Sequence, residues 1–134
     1  MRIKYAKRND FSWLKENEVH ISEDVLNRKI KNKEIYIIEE NSIIIGWLRY
    51  NYFWDNIPFL NMIYILDEHR GKGYGRKLIE YWEIEMKIKG YSNVLTSTLS
   101  NEEAQHFYKR LGYNDIGGFK LFEEPYEIIF YKKL

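Results

Sequence analysis

The chain has 134 residues, of which 45% are apolar and none is cysteine, and its formal net charge is +1. This length suits one domain, predicted over residues 1–134, and the lack of cysteine excludes disulfides, thiolate metal sites and a cysteine nucleophile. The small charge gives no bulk attraction to nucleic acid, and no apolar run approaches the roughly 20 residues of a membrane span. We therefore expect a cytoplasmic protein in which any anion binding comes from a local site.

The first part of the sequence predicts a strand, two helices and a hairpin. A weakly alternating strand over 1–6 and a short helix come first. Ser22 precedes two acidic residues, as the N-cap of a second helix does, and Lys29 on that helix is expected to face solvent. The apolar runs 35–39 and 43–50 flank a short polar gap, which predicts an antiparallel hairpin.

An aromatic loop rich in asparagine and aspartate is predicted over residues 51–57. It contains Trp54 and Asp55, and such residues attract ammonium groups through an aromatic face and a counter-charge. The loop is therefore either one wall of a site for a cationic amine or a packed surface loop. Its composition leaves both interpretations open.

A strand, a glycine-rich turn and a helix follow one another in the middle of the chain. The apolar run 59–66 predicts a strand buried on both faces, with Asn61 as its interior polar residue. The helix carries an apolar stripe and ends at Gly90. Glycines alternate with cationic or aromatic residues in the turn: Arg70, Gly71, Lys72, Gly73, Tyr74, Gly75 and Arg76. Free N–H groups and a positive dipole at the helix start make this turn a cradle for an anion such as phosphate.

Two familiar phosphate-binding loops do not match this turn. The spacing G-x-x-x-x-G-K-[ST] of the P-loop does not occur in the sequence. The dinucleotide fingerprint requires G-x-G-x-x-G, whereas the glycines at 71, 73 and 75 follow G-x-G-x-G. A nucleotide-binding domain of either kind is therefore not predicted.

The last third of the chain predicts one more helix between strands. The strand over 93–98 is expected to lie parallel to the central strand, because a helical crossover joins them. Ser100 and Glu103 have the spacing of a capping box at the start of the next helix, which ends at Gly112. The remaining predicted elements are a turn at Gly117–Gly118 and strands around 119–122 and 126–132.

Two motifs together resemble those of the GNAT N-acetyltransferase superfamily. The turn Arg70-Gly-Lys-Gly73-Tyr-Gly75 is similar to the family's pyrophosphate loop, [RQ]-x-x-G-x-[GA]. The helix from Asn101 to Tyr113 is similar to the second signature, N-x-x-A-x-x-x-Y-x-x-x-G-[FY], at all its fixed positions. The order of the predicted elements also follows the family, so the resemblance covers nearly the whole chain.

The resemblance implies both a fold and an activity. The implied fold is α/β (α+β), with a mixed, twisted central sheet of six to seven strands flanked by about four helices. The implied activity is transfer of an acetyl group from acetyl-CoA to a primary amine by direct attack in a ternary complex. The alternative is a non-catalytic acyl-CoA-binding module of the same fold. No metal, nucleic acid or membrane is expected as a partner, and a homodimer is compatible with the sequence.

The resemblance also implies roles for individual residues. Backbone N–H groups from Arg70 to Arg76 would hold the pyrophosphate, and the main chain of Ile63 and Ile65 would bind pantetheine and the acetyl carbonyl. Asn101 would contact the cofactor arm, and Tyr108 would point at the thioester sulfur. The acceptor, a small molecule or a peptide, would meet Trp54, Asp55 and Asn61. Its identity stays open, as does the general base, for which Asp55, Glu39 or a chain of waters would serve.

Overall fold

A seven-stranded sheet with four α-helices forms the architecture of the computed structural model, which describes all 134 residues. The strand order is β1-β2-β3-β4-β5-β7-β6. The elements are β1 (Arg2–Tyr5), α1 (Phe11–Asn17), α2 (Glu23–Lys31), β2 (Ile35–Glu40), β3 (Ile43–Phe53), β4 (Ile57–Ile65), α3 (Tyr74–Ile88), β5 (Asn93–Leu99), α4 (Ala104–Arg110), β6 (Asn114–Phe119) and β7 (Glu127–Lys133). The parallel β4–β5 pair joins antiparallel ladders, so the predicted mixed α/β sheet is confirmed.

The chain divides into two compact units. The first, called here the N-terminal unit, comprises Met1–Tyr50 and Met62–Tyr81, and the second, the C-terminal unit, comprises Asn51–Asn61 and Trp82–Leu134. One domain over the whole chain stays a prediction. None of the helices combines the length and the apolar composition needed to cross a membrane.

The N-terminal unit has an aliphatic and aromatic core under α1 and α2. Its buried members are Ala6, Leu14, Leu26, Ile35, Ile37 and Trp47. Ser22 caps α2 as predicted, since its hydroxyl accepts a hydrogen bond from the Val25 N–H at 3.2 Å. The expectation that Lys29 faces solvent is wrong. Its ammonium group is buried and donates to the Tyr50 carbonyl at 2.8 Å and to Glu34 at 3.1 Å, which compensates for the lost hydration.

The aromatic segment before β4 is a strand end and a tight turn, so the predicted loop over 51–57 is wrong. β3 continues to Phe53, and β4 begins at Ile57. Trp54 and Asp55 form the turn with positive φ angles of 55° and 57°, which match the right-handed twist of a hairpin. The segment continues the strand because aromatic residues favour a pleated surface.

β4 is also less buried than the apolar run 59–66 predicts. Leu60 is buried, but the Asn61 side chain is exposed and Tyr64 remains 36% exposed. Asn61 is therefore not an interior residue. Its amide donates to the Asn51 side chain at 2.7 Å on the outside of the β3–β4 hairpin. An apolar sequence does not distinguish a strand buried on two faces from one with a partly exposed aromatic face.

In the C-terminal unit, α4 starts three residues later than the sequence predicts. The helix begins at Ala104, and the predicted capping box of Ser100 and Glu103 is wrong, since Glu103 makes no capping hydrogen bond. Other contacts hold the preceding turn, because Glu102 accepts from the Leu99 N–H at 3.2 Å and Gln105 donates to the Ser100 carbonyl at 2.8 Å. Local side-chain contacts with the backbone thus replace the first helical turn.

The final hairpin differs from the prediction at two places. Gly117 and Gly118 do not form a turn but lie inside β6, where a register shift between Asp115 and Gly117 marks a bulge. The strand predicted over 119–122 is wrong as well, because β6 ends at Phe119 and the chain then turns. β7 lies where the sequence predicts the last strand and pairs with both β5 and β6.

Candidate active site

The start of α3 in the N-terminal unit is a ready anion site. The Gly73 carbonyl accepts the Lys77 N–H at 3.1 Å, so Gly73 occupies the N-cap position. The N–H groups of the next three residues, 74–76, have no intrahelical acceptor in this geometry. The positive end of the helix dipole lies at the same place, which favours an anion there.

Glycine keeps this backbone accessible. Gly71 and Gly73 have φ angles of +77° and +84°, a region that other residues rarely adopt. A Cβ atom built on either residue would meet no other atom within 4 Å. The peptide groups are therefore open to an incoming anion.

The side chains of the turn have different neighbours. Lys72 is exposed, and Arg76 pairs with Glu80 at 3.0 Å on the exposed side of α3. The Tyr74 hydroxyl donates to the Glu40 carboxylate at 2.6 Å, which ties the first residue of α3 to the end of β2. This hydrogen bond raises the pKa of Tyr74 and lowers the pKa of Glu40.

The guanidinium of Arg70 is directed back at the end of β4. Its Nε donates to the Ile65 carbonyl oxygen at 2.8 Å, and its Nη1 lies 3.2 Å from the Asp67 carboxylate. The same group lies over the Tyr64 ring, 4.7 Å from the ring centroid. Arg70 thus contacts two residues of β4, Tyr64 and Ile65, and one residue of the turn, Asp67.

The main chain at the end of β4 has a defined orientation. The Leu66 N–H donates to the Ile45 carbonyl of β3 at 2.8 Å. In a strand, the N–H and C=O groups of one residue point to the same side, and those of the next residue point to the opposite side. Because the Leu66 N–H points to β3, the N–H and C=O groups of Ile63 and Ile65 point away from it.

Tyr108 is a buried phenol in the C-terminal unit. Its side chain is 5% exposed and packs against the rings of Tyr113 and Phe130, with centroid distances of 5.7 and 6.1 Å. Burial raises the pKa of Tyr108 to about 12, although an interaction with the Thr96 hydroxyl lowers it in part. The phenol therefore keeps its proton near neutral pH.

The Thr96 hydroxyl also marks the end of the β4–β5 ladder. This ladder has two pairs, Phe59 with Leu95 and Leu60 with Thr96, and the Thr96 hydroxyl donates to the Leu60 carbonyl at 3.0 Å. β5 itself continues to Leu99. Tyr108 thus lies beside Thr96, the second of the two β5 residues in this ladder.

The other predicted site residues lie on the surface of the C-terminal unit. Asn101 is exposed in the turn before α4. Trp54 is 78% exposed at the tip of the β3–β4 hairpin, where its ring contacts Phe53 at 4.8 Å, and Asp55 beside it is exposed. Glu39, the other carboxylate considered as a general base, lies in the N-terminal unit and pairs with Lys4 at 3.4 Å.

Sequence analysis missed a buried carboxylate at the end of α1. Glu18 is 3% exposed, and its Oε2 accepts hydrogen bonds of 2.9 Å from the Trp47 indole and from Arg49 Nε. Its Oε1 accepts the His20 N–H at 3.0 Å. Burial by itself raises the pKa of Glu18, but these hydrogen bonds outweigh it and hold the pKa below its usual value. No local sequence signal identifies Glu18, because its partners lie about 30 residues away on β3.

The family of the chain follows from a match to a family model. The model described as the acetyltransferase (GNAT) domain matches residues 31–115, which include the cradle, both strands β4 and β5, and α4. The chain belongs to the GNAT acetyltransferase family. The predicted family is therefore confirmed, and the cosubstrate of this family is acetyl-CoA, as the sequence analysis expects.

Individual relatives agree with this family. An uncharacterized N-acetyltransferase of Chlorobaculum tepidum is 26% identical over 97 residues, which are 69% of this chain and 60% of the relative. The chain thus spans only that part of the curated relative. A GNAT acetyltransferase of Bacillus cereus is 24% identical with a TM-score of 0.79 over 98% of this chain and 96% of the other. An acetyltransferase of Bacillus anthracis, solved with acetyl coenzyme A, is 22% identical with a TM-score of 0.68 over 75% and 61%.

Proposed function

We propose that the protein is an acetyl-CoA-dependent N-acetyltransferase that moves an acetyl group to a primary amine by direct attack in a ternary complex. The observation that carries this proposal is the open backbone of Gly71 and Gly73 at the start of a 15-residue helix. The N–H groups of residues 71–76 bind the pyrophosphate in this proposal, and Lys72 adds a positive charge.

The main chain of β4 holds the rest of the cofactor arm. The peptide groups of Ile63 and Ile65 point away from β3, and the β4–β5 ladder ends at Leu60. In our proposal, the pantetheine arm pairs with Ile63 and Ile65 as an added strand would, and Asn101 contacts it. Because the Ile65 carbonyl already accepts from Arg70, Ile65 contributes its N–H group to the acetyl oxygen.

Tyr108 stabilises the leaving group in this mechanism. When bound, acetyl-CoA supplies a thioester whose carbon forms a bond with the amine nitrogen while its bond to sulfur breaks. The Tyr108 hydroxyl donates a hydrogen bond to the departing thiolate. A phenol with a pKa of about 12 lies about 3.5 units above a thiol, so full proton transfer would cost about 5 kcal/mol. Tyr108 is therefore a hydrogen-bond donor, and the amine loses its proton through water.

The acceptor in this proposal is a cation with an apolar body. The tip of the β3–β4 hairpin presents the exposed Trp54 ring and the Asp55 carboxylate side by side. An aromatic face and a counter-charge together attract an ammonium group. A small or peptide-borne primary amine fits these groups better than an acidic acceptor does.

Ligand-dependent stability tests the cofactor part of the proposal. Thermal unfolding is followed while acetyl-CoA, CoA or ATP is added to the protein. A ligand at 100 times its Kd stabilises the fold by about 2.7 kcal/mol, and we expect this effect for CoA and acetyl-CoA but not for ATP. No shift with millimolar CoA, or an equal shift with ATP, would reject the proposed cofactor.

A release assay separates an enzyme from the alternative, a non-catalytic acyl-CoA-binding module. Free CoA thiol is followed while acetyl-CoA is incubated with polyamines, aminoglycosides, amino acids and short peptides. We expect thiol release that depends on a cationic amine. Binding of CoA without release for any amine would favour the module.

A further inference from the structure

We propose that Arg70 is a positioning residue that fixes the peptide at the end of β4, and that its charge is not used to bind phosphate. This inference rests on the proposed function, because it concerns how the cradle is oriented for the cofactor. The Arg70 side chain runs back from the turn to the Ile65 carbonyl, away from the open backbone of the cradle.

The peptide group between Ile65 and Leu66 is held from both sides. Its N–H, which belongs to Leu66, donates to the Ile45 carbonyl at 2.8 Å. Its carbonyl, which belongs to Ile65, accepts from Arg70 Nε at 2.8 Å. A peptide fixed at both ends has no freedom to rotate, so it sets the direction in which the chain leaves β4.

The turn that follows depends on this direction. It is a single 3-10 turn, Asp67–His69, closed by the His69 N–H on the Leu66 carbonyl at 2.9 Å and by the Arg70 N–H on the Asp67 carbonyl at 3.2 Å. Arg70 therefore closes the turn with its backbone and anchors it with its side chain. Gly71 comes next, so the orientation of the cradle follows from the same residue.

A stack of side chains supports the guanidinium from below. The group lies 4.7 Å from the Tyr64 centroid, and the Tyr64 ring lies 5.2 Å from the Trp47 ring. The Trp47 indole is fixed in turn by its hydrogen bond to the buried Glu18 carboxylate. A planar guanidinium is suited to this position because it stacks on an aromatic ring while donating at its edge, which an ammonium group does not do.

Hydrogen exchange in the ligand-free protein tests the positioning role directly. We compare Arg70→Gln and Arg70→Lys with Lys72→Gln, a matched change of a neighbouring exposed cation. Both Arg70 variants should exchange the three hydrogen-bonded amides of this segment, those of residues 66, 69 and 70, at least tenfold faster, while Lys72→Gln should leave those rates unchanged. Equal exchange in wild type and both Arg70 variants would overturn the proposal, whether or not the protein binds CoA.

A substrate without phosphate separates positioning from phosphate binding. S-acetylpantetheine has the thioester and the pantetheine arm of acetyl-CoA but no pyrophosphate. A residue that acts only by binding phosphate therefore has no effect on its turnover. Arg70→Gln should lower kcat/KM for S-acetylpantetheine about tenfold or more, because Arg70 fixes the strand end whose Ile65 N–H we assign to the acetyl oxygen. For acetyl-CoA, which also uses the cradle, the loss should be at least as large. Lys72→Gln should affect acetyl-CoA alone.

The opposite result is equally clear. If Arg70→Gln weakens acetyl-CoA turnover but spares S-acetylpantetheine, Arg70 acts only through the pyrophosphate. If Arg70→Lys behaves as wild type, a positive charge alone is sufficient. Either result overturns the proposed role at the end of β4. If wild type binds neither thioester, the proposed function fails, and the exchange rates still decide whether Arg70 fixes the turn.

Discussion

The hydroxyl of Thr96 donates a 3.0 Å hydrogen bond to the carbonyl oxygen of Leu60, at the last pair of the parallel ladder between β4 and β5. A side chain thereby satisfies a strand carbonyl where the regular ladder stops. The same hydroxyl interacts with Tyr108, whose phenol we propose as the donor to the leaving group. One threonine thus links the end of the ladder to the proposed catalytic group.

Gly73→Val should abolish CoA binding and leave the protein folded. A valine side chain would cover the open peptide groups of the cradle, and the positive φ angle would add a strain of about 2 kcal/mol. Gly90→Val is the matched control, because Gly90 at the other end of α3 also has a positive φ angle, +100°, and open space around a Cβ. Calorimetric titration with CoA measures the effect. Normal CoA binding by folded Gly73→Val would show that the cradle lies elsewhere.

Tyr108→Phe should lower kcat about 100-fold and leave the affinity for acetyl-CoA nearly unchanged. The hydroxyl is needed mainly in the transition state, where charge develops on sulfur. Steady-state kinetics combined with acetyl-CoA titration checks both quantities. An unchanged kcat would return Tyr108 to a purely structural role and support the non-catalytic module.

Tyr113→Phe is the control for that experiment. Tyr113 packs against Tyr108, but its hydroxyl donates to the buried Glu83 carboxylate at 2.7 Å. Its removal should lower the free energy of unfolding by about 2 kcal/mol, because it deletes a hydrogen bond to a charged group. The kcat of the folded enzyme should stay the same.

Asp55→Asn should raise KM for cationic acceptors and leave KM for acetyl-CoA unchanged. The change removes the counter-charge beside Trp54 without altering the size of the side chain. Asp115→Asn, on the exposed strand β6, is the matched control and should have no effect. Acceptor screens with both variants make the comparison. Cationic turnover indifferent to Asp55→Asn, or turnover restricted to acidic acceptors, would contradict the proposed role of the hairpin tip.

Glu18→Gln should lower the free energy of unfolding by about 3 kcal/mol at pH 7, because the buried Arg49 would lose its counter-charge. The pKa of Glu18 is lower in the folded protein than in the unfolded chain. Its contribution is therefore fully present above the unfolded pKa of about 4.3 and is lost as the pH falls through the folded value. Urea unfolding at pH 7 and pH 3 measures the difference. A deficit in Glu18→Gln that does not shrink at low pH would contradict this account.

The elements that sequence predicted well are those with a local cause. Ser22 caps α2 through a contact three residues away, and the stripe Leu78, Ile79, Trp82 and Met86 on α3 is fully buried. Gly73 and Gly90 carry the positive φ angles that their places at the two ends of α3 require. The cradle could be predicted for the same reason, because glycine turn, helix start and strand are adjacent in sequence.

The features that sequence missed depend on distant partners. Glu18 is buried because β3 supplies an indole and a guanidinium, and Lys29 is buried because β3 supplies a carbonyl. The composition of the aromatic segment around Trp54 fits a loop and a strand end equally well, so the sequence does not distinguish between them. The direction of the Arg70 side chain could not be predicted from the sequence either, because the charge of an arginine does not indicate which acceptor it contacts.

The bulge in β6 affects the tendency of the protein to self-associate through the edge of its sheet. β6 is the outer strand of the sheet, all six of its residues are exposed, and Ile116 and Phe119 are among them. A regular, apolar edge strand is a template for uncontrolled strand addition and aggregation. The register shift at Gly117, with its φ angle of +138°, interrupts that template and leaves an approaching strand without a continuous row of partners. We therefore expect Gly117 and Gly118 to limit self-association through this edge of the sheet.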